Sequence, residues 1–205
     1  MDVQCQVIKR VETWVRGLFA ANLAVAHDWL HVDRVRRNIL VIAGGEGVDP
    51  WLAEIAALIH DVGRTQPGPE AEHGARSAVL AAPLLAGLPL PADQREAILF
   101  AVRWHSSLRT DTLLLCVLRD ADMLDGMGAI GLMRAFMSKS DLPAYDAVAP
   151  FADSFTRPPA TVADQIRFQM SWQPVTPTGQ EMARQRLAFM HTFVEQIQSE
   201  IDGAG

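Results

Sequence analysis

The sequence predicts an all-α protein with a less regular carboxyl third. Apolar residues recur every three or four positions along most of the chain, and no stretch alternates apolar and polar residues as a half-buried strand would. Six of the twelve prolines fall between residues 138 and 179, where they disfavour long helices. We therefore expect one domain over residues 1–205, with a helical core over about 20–137. The remainder, 138–205, would be a Pro-rich segment of short helices closed by an amphipathic helix.

Each predicted helix carries its own signals. An apolar stripe with helical spacing starts at Val3 and defines the first helix, and the pair Gly44-Gly45 predicts the end of a later one. Asp49-Pro50 supplies an N-cap and a first-turn proline for the next helix. Glu72-His73-Gly74 opens a further helix, and the closing amphipathic helix is expected over about Gln180–Ile201.

The composition excludes several classes of protein. The chain has 18 basic and 24 acidic side chains, a net charge of −6, so it has no basic stripe for a nucleic-acid polymer. No apolar run is long enough to span a membrane. Cys5 and Cys116 are far apart and indicate ordinary reduced thiols, and no secretory signal is visible. We expect a cytoplasmic protein, either a monomer or a homodimer.

Histidines are concentrated in the first half of the chain. Five of the six precede residue 106. His27 and His31 are spaced i, i+4, which would stack both rings on one helical face. That spacing alone is more often an accident of packing or of the surface than a metal site. His60-Asp61 ends an apolar helix, where core packing alone would favour apolar residues, and this pair admits either an exposed helix end or a ligand pair.

Further His and Asp residues favour a metal site. His73 opens one predicted helix and His105 closes another, while Asp120, Asp122 and Asp125 lie on an otherwise apolar helix. Asp122 and Asp125 share a face, but Asp120 cannot share a face with Asp122. A mixed set of imidazoles and carboxylates suits divalent ions such as Mn²⁺, Fe²⁺ or Zn²⁺.

Three motifs in this order resemble the HD-domain metal-dependent phosphohydrolases. They are the segments 27–35 (HDWLHVDRV), 58–64 (LIHDVGR) and 120–131 (DADMLDGMGAIG). The sequences of these motifs are similar to those of a small, single-domain branch of bacterial HD hydrolases, some of whose members act on nucleoside triphosphates. The resemblance covers roughly residues 20–137 and implies an HD-type helical bundle.

The resemblance also implies roles for individual residues. The metal ligands would be His31, His60, Asp61 and Asp122. The ion would be a divalent metal (Mn, Fe, Co, Mg, Ni or Zn), and one ion is favoured over two, although His73 and His105 stand where ligands of a second ion would lie.

We further expect several groups to serve the reaction and the substrate. Asp61 would orient the attacking water or accept its proton, and Glu72 or His73 would assist proton transfer. His27, Arg64 and His105 would contact the substrate. Asp28 and Asp125 would orient imidazoles. Trp29 and Trp104 are expected to pack in or against the core, with the border of a pocket for a base as the alternative.

The predicted function is hydrolysis of a small phosphorylated substrate, such as a nucleotide, with nucleoside triphosphate pyrophosphohydrolase activity as one form. Two alternatives remain open from the sequence. One is an HD-type diiron oxygenase, and the other is a non-catalytic module that binds a metal or a nucleotide.

Overall fold

The computed structural model describes residues 2–20, 27–151 and 155–204. These residues form nine α-helices and two short 3₁₀ turns, and no β-strand occurs among them. The prediction of an all-α fold is confirmed. None of the helices in the described part of the chain combines the length and apolarity that a membrane span requires.

The helices follow one another closely along the chain. In order they are α1 (Val3–Ala20), α2 (Trp29–Glu46), α3 (Pro50–Ile59), α4 (His73–Ala86), α5 (Ala92–Trp104), α6 (Leu113–Asp125), α7 (Gly128–Ser138), α8 (Val162–Met170) and α9 (Pro177–Ile201). The 3₁₀ turns, Val62–Thr65 and Glu70–Glu72, lie between α3 and α4.

The core forms around α2, which packs against both α3 and α6, while α5 packs against α3, α4 and α6. Their facing side chains are fully buried, for example Ile39 in α2, Leu58 in α3 and Leu118 in α6. Burial of such side chains contributes about 1.5–3 kcal/mol each to folding. The polar residues discussed below are therefore held on helices whose positions are fixed by apolar packing.

One predicted helix end is wrong. Helix α2 continues through Gly44-Gly45 to Glu46 and ends at Gly47, which adopts φ 70°. Gly45 has a packing role instead, because a Cβ added there would lie 2.2 Å from Oγ1 of Thr178 at the start of α9. The predicted cap of α3 is confirmed, since the Asp49 side chain accepts a hydrogen bond from the Trp51 backbone N–H.

The expected helical stacking of His27 on His31 is also wrong. Helix α2 begins at Trp29, and Asp28 caps it by accepting a hydrogen bond from the His31 backbone N–H at 2.9 Å. His27 therefore precedes the helix. Its ring nevertheless packs edge-on against that of His31, with 5.2 Å between the ring centroids.

A buried carboxylate helps to hold the carboxyl third to the core. The described residues between α7 and α8 form turns and bends, and α8 is short, as the prolines predict. Asp120 of α6, which is fully buried, accepts hydrogen bonds from the backbone N–H groups of Val175 and Thr176 and from the Thr176 hydroxyl. Thr176 also caps α9, which begins at Pro177, earlier than the sequence predicts. Asp120 thus fixes the start of the last helix.

Candidate metal centre and cavity

Four side chains from three segments of the core converge on one point. His31 lies on α2, His60 and Asp61 follow α3, and Asp122 lies on α6. The His31 Nε2 atom is 3.2 Å from His60 Nε2, 3.4 Å from Asp61 Oδ2 and 3.5 Å from Asp122 Oδ1. His60 Nε2 lies 3.8 Å from Asp61 Oδ2 and 3.9 Å from Asp122 Oδ1. We call these four groups the first donor set.

The two imidazoles of this set are oriented by their other ring nitrogen. His31 Nδ1 donates a hydrogen bond to Asp125 Oδ2 at 2.8 Å, and His60 Nδ1 donates to the Ala57 carbonyl oxygen at 2.7 Å. In the neutral rings both Nε2 atoms then carry lone pairs, and these lone pairs face each other. Divalent ions with bonds of about 2.0–2.2 Å hold neighbouring donors about 3–3.5 Å apart, so the set fits such an ion.

Burial and neighbouring groups shift the pKa values of these ligands. Desolvation lowers the pKa of His60 to about 4, so the ring is neutral near pH 7. Burial raises the pKa of Asp61, but the surrounding imidazoles outweigh it, above all His60 and also His27, which donates a hydrogen bond to this carboxylate. They hold that pKa well below its ordinary value. A neutral imidazole beside an ionised carboxylate is the state in which both groups bind a metal ion.

A second group of donors lies on the other side of Asp61. His73 Nε2 and His105 Nε2 are 3.1 Å apart, and they lie 3.5 Å and 3.7 Å from Asp61 Oδ1. Their Nδ1 atoms donate to the carbonyl oxygens of Glu70 and Val102. Asp61 Oδ1 is buried and accepts no hydrogen bond from the described residues. We call His73, His105 and Asp61 Oδ1 the second donor set.

Arg64 and His27 also bind Asp61. Arg64 Nε donates to Asp61 Oδ2 at 2.8 Å, its guanidinium pairs with Glu70, and its Nη2 lies 3.3 Å from His73 Nε2. His27 Nδ1 donates to Asp61 Oδ2 at 2.9 Å. These two of the three predicted substrate contacts therefore lie beside the cluster, already engaged with its shared carboxylate.

Asp125 serves as the expected orienting carboxylate, and Asp28 does not. Asp125 is 2% exposed and accepts hydrogen bonds from His31, Arg34 and Arg134. Asp28 instead caps α2 through the His31 backbone, because the helix starts one residue after it. The prediction for Asp28 is wrong because His27 and Asp28 are not inside the helix.

The cluster lies beside a cavity of about 720 Å³. His27, Arg64, His105 and Asp122 border it, and α8 and the segment after it form a further part of its wall. Its basic lining residues are Arg64, Arg119, Arg134 and Lys139. A cavity of this size accommodates a small organic ligand, and its cationic lining favours an anionic one.

Two expectations about the cavity wall are not supported. Glu72 is exposed and is not among the cavity-lining residues, whereas Glu70 is, because the 3₁₀ turn Glu70–Glu72 presents Glu70 toward Arg64. Neither Trp29 nor Trp104 is among the lining residues, and each packs under an arginine instead. The tryptophan that lines the cavity is Trp172.

The residues that α8 and its carboxyl end contribute to the cavity wall are not among those predicted from the sequence. They are Gln165, Phe168, Gln169 and Trp172. No local motif marks them, since their position depends on how the carboxyl third docks on α6. Gly126 is the one sequence signal for this docking. Trp172 packs against it, and a Cβ at Gly126 would lie 2.3 Å from the indole.

Comparison with known proteins agrees with this architecture. The family model of the HD domain matches residues 29–127. The uncharacterized protein YpgQ of Bacillus subtilis is 29% identical over 203 residues, which cover 95% of this chain and 94% of that protein. A crystal structure of YpgQ in complex with ADP has a TM-score of 0.76 at 24% identity, covering 99% of both chains.

A second solved structure is of similar size. The predicted HD superfamily hydrolase from an uncultured Thermotogales bacterium has a TM-score of 0.68 at 27% identity, covering 94% of this chain and 91% of that one. All four residues of the first donor set lie within the segment that the family model matches. Residues 29–127 therefore match the HD domain, and the whole chain shares the fold of YpgQ and of the Thermotogales hydrolase.

Proposed function

We propose that this protein is a divalent-metal-dependent phosphohydrolase that acts on a nucleotide. The observation that carries the proposal is the first donor set, whose two imidazoles and two carboxylates converge within 3.2–3.9 Å beside a cavity with basic walls. The nucleotide is supported by the ADP complex of YpgQ and by the volume of the cavity. The proposed substrates are nucleoside triphosphates, whose hydrolysis would release pyrophosphate or phosphate.

The first donor set would hold the ion. When bound, a divalent ion lowers the pKa of water and neutralises charge on phosphoryl oxygens. We infer that one ion is bound, because Arg64 already places a positive charge 3.3 Å from His73 Nε2 in the second donor set. That set also contains one carboxylate oxygen, whereas the first set contains two carboxylates.

Asp61 is the proposed general base. Its Oδ1 atom is buried and accepts no hydrogen bond from the described residues, so it is available to orient the attacking water and to accept its proton. His73 Nε2 and His105 Nε2 lie within 3.7 Å of this oxygen and would pass the proton on. Glu72, which is exposed, has no part in this scheme.

Cationic and hydrogen-bonding groups would hold the phosphates. Arg64 is fixed by Asp61 and Glu70, so its guanidinium is ordered before the substrate binds. His27, whose side chain is 30% exposed, borders the same cavity and would donate a hydrogen bond from Nε2 to a phosphoryl oxygen when its ring is protonated. Arg119, Arg134 and Lys139 add positive charge to the wall.

A panel of nucleotides tests the proposal. The protein is incubated with Mn²⁺, Mg²⁺, Co²⁺ or Fe²⁺ and each nucleotide, and phosphate and pyrophosphate are measured separately. We expect release of one of them that stops on chelation and in Asp122→Ala. The matched control is Asp141→Ala, an exposed acidic residue that is not among those lining the cavity and should retain activity.

One observation favours a second candidate function. The second donor set has the composition of a further ion site, and a binuclear iron centre would suit a diiron oxygenase. Two irons per chain, oxygen uptake and no release of phosphate or pyrophosphate from any nucleotide would replace the hydrolase proposal. Metal binding without either reaction would instead indicate a non-catalytic module.

A further inference from the structure

Gln169 on α8 has a buried carbonyl oxygen that lacks a donor. Four buried side-chain atoms in the described residues have no hydrogen-bond partner, and Gln169 is the one residue among the four that lines the large cavity. The residue is only 5% exposed. Leaving such an oxygen unpaired is unfavourable, so a donor supplied from the cavity would stabilise this arrangement.

The surroundings of Gln169 suit a flat aromatic ligand. Phe168 and Trp172 line the cavity beside it and pack edge to face, with 5.3 Å between their ring centroids. Aromatic side chains bind nucleobases by stacking, whatever the base. Stacking alone would accept every base, so a polar group is required to choose among them.

This aromatic wall lies close to the proposed metal ligands. The Trp172 indole packs against Gly126, the residue that caps the carboxyl end of α6. Asp122 lies one turn earlier, on the helix itself. Four residues of α-helix span about 6 Å. Asp122, Met123 and Gly126 all line the cavity, so one face of α6 connects the first donor set to the wall.

We propose that Gln169 selects the base by accepting a hydrogen bond on Oε1 from an exocyclic amino group, and that the base is adenine. A glutamine amide offers an acceptor beside a donor, which matches the N6 amino group and N7 of adenine. Guanine presents two acceptors, N7 and O6, on the same edge and fits the amide less well. This inference rests on the proposed function for the identity of the cavity's ligand.

The test compares ATP with purine riboside triphosphate, which lacks the 6-amino group and is otherwise the same. We expect kcat/KM to be about 10- to 100-fold higher for ATP, and GTP to be a poorer substrate than ATP. In Gln169→Met the ratio of ATP to purine riboside triphosphate should fall to about one. The control Gln173→Met, at an exposed position outside the cavity lining, should keep the wild-type ratio.

Binding of the diphosphates separates this inference from the proposed function. Kd is measured for ADP and for purine riboside diphosphate with the wild-type protein, so the result does not depend on the folding of a variant. Tighter binding of ADP without any hydrolysis would retain the role of Gln169 and overturn the phosphohydrolase. Hydrolysis with equal kcat/KM for ATP and its 6-deamino analogue, or a preference for GTP, would overturn the role of Gln169 and leave the phosphohydrolase. Neither binding nor turnover would overturn both.

Discussion

The first and second donor sets lie on opposite sides of Asp61 and share a construction. In His60, His73 and His105, the Nδ1 atom donates to the carbonyl oxygen three residues earlier, and the Nε2 atom faces its partners. The sets differ in charge. The first contains Asp122 as a second carboxylate, whereas the second has the Arg64 guanidinium beside His73.

This difference indicates how one family architecture can favour one ion. A cation in the second set would meet the positive charge of Arg64 at close range, and that repulsion is strong where water is largely excluded. Arg64 is in turn fixed by Glu70, which lies on a 3₁₀ turn outside the core helices. On the proposal of a single ion, the number of ions would be controlled from a surface turn rather than from the helices that carry the imidazoles.

The largest effect is expected from Asp61→Ala, because Asp61 belongs to both sets. Removing it deletes a ligand, the proposed base and the partner of Arg64. We expect nucleotide hydrolysis to fall by at least about 10³-fold in kcat/KM. Asp111→Ala, at an exposed carboxylate paired with Arg109, is the matched control. Substantial activity in Asp61→Ala would contradict the shared role.

Metal content separates the two sets directly. We expect one bound divalent ion per wild-type chain, none in His60→Ala and one in His105→Ala, because His60 belongs only to the first set and His105 only to the second. The content is measured by elemental analysis after dialysis against the metal. Two ions in the wild type, with one remaining in His105→Ala, would show that Arg64 does not exclude the second ion.

A smaller effect is expected from Asp125→Asn. His31 is the one imidazole of the two sets that is oriented by a side chain rather than by a backbone carbonyl. Weakening this orientation should reduce metal affinity by about 10- to 100-fold, as measured by titration with the ion. Asp33→Asn, which affects a carboxylate paired with Arg37 on α2, should leave the affinity unchanged. Equal affinities in the two variants would argue against the orienting role.

The smallest effect is on thermal stability. An ion present at about 100 times its Kd stabilises the folded state by about 2.7 kcal/mol, which for a chain of this length is a rise of roughly 5–10 °C in Tm. A thermal scan with and without the ion measures the rise. His60→Ala should show none of it, while His105→Ala should show all of it.

The first donor set was predictable from the sequence because its residues occupy helices and helix ends that local patterns reveal. The apolar run before His60 and the spacing of Asp122 and Asp125 both mark positions where core packing alone would not place such side chains. The resemblance to the HD family then assigned the ligands. The structure brings these residues together.

The cavity wall was not predictable in the same way. Glu72 was predicted near the site, whereas Glu70 lines the cavity, because a 3₁₀ turn has no apolar periodicity from which to infer which side chain faces inward. Phe168, Gln169 and Trp172 reach the cavity through contacts with α6 that are distant in sequence, such as Trp172 on Gly126. Long-range docking of this kind leaves no signal in a local window.

Asp120 bears on whether the HD segment is a separable module. It lies on α6 two residues before Asp122, and the donors that satisfy its buried carboxylate come from Val175 and Thr176, beyond the end of the family match. A fragment without those residues would leave a charge in the core with no partner, which costs several kcal/mol. The helix that carries Asp122 is therefore also the helix whose buried Asp120 needs the carboxyl third, so we expect the core helices and the cavity wall to fold as one cooperative unit.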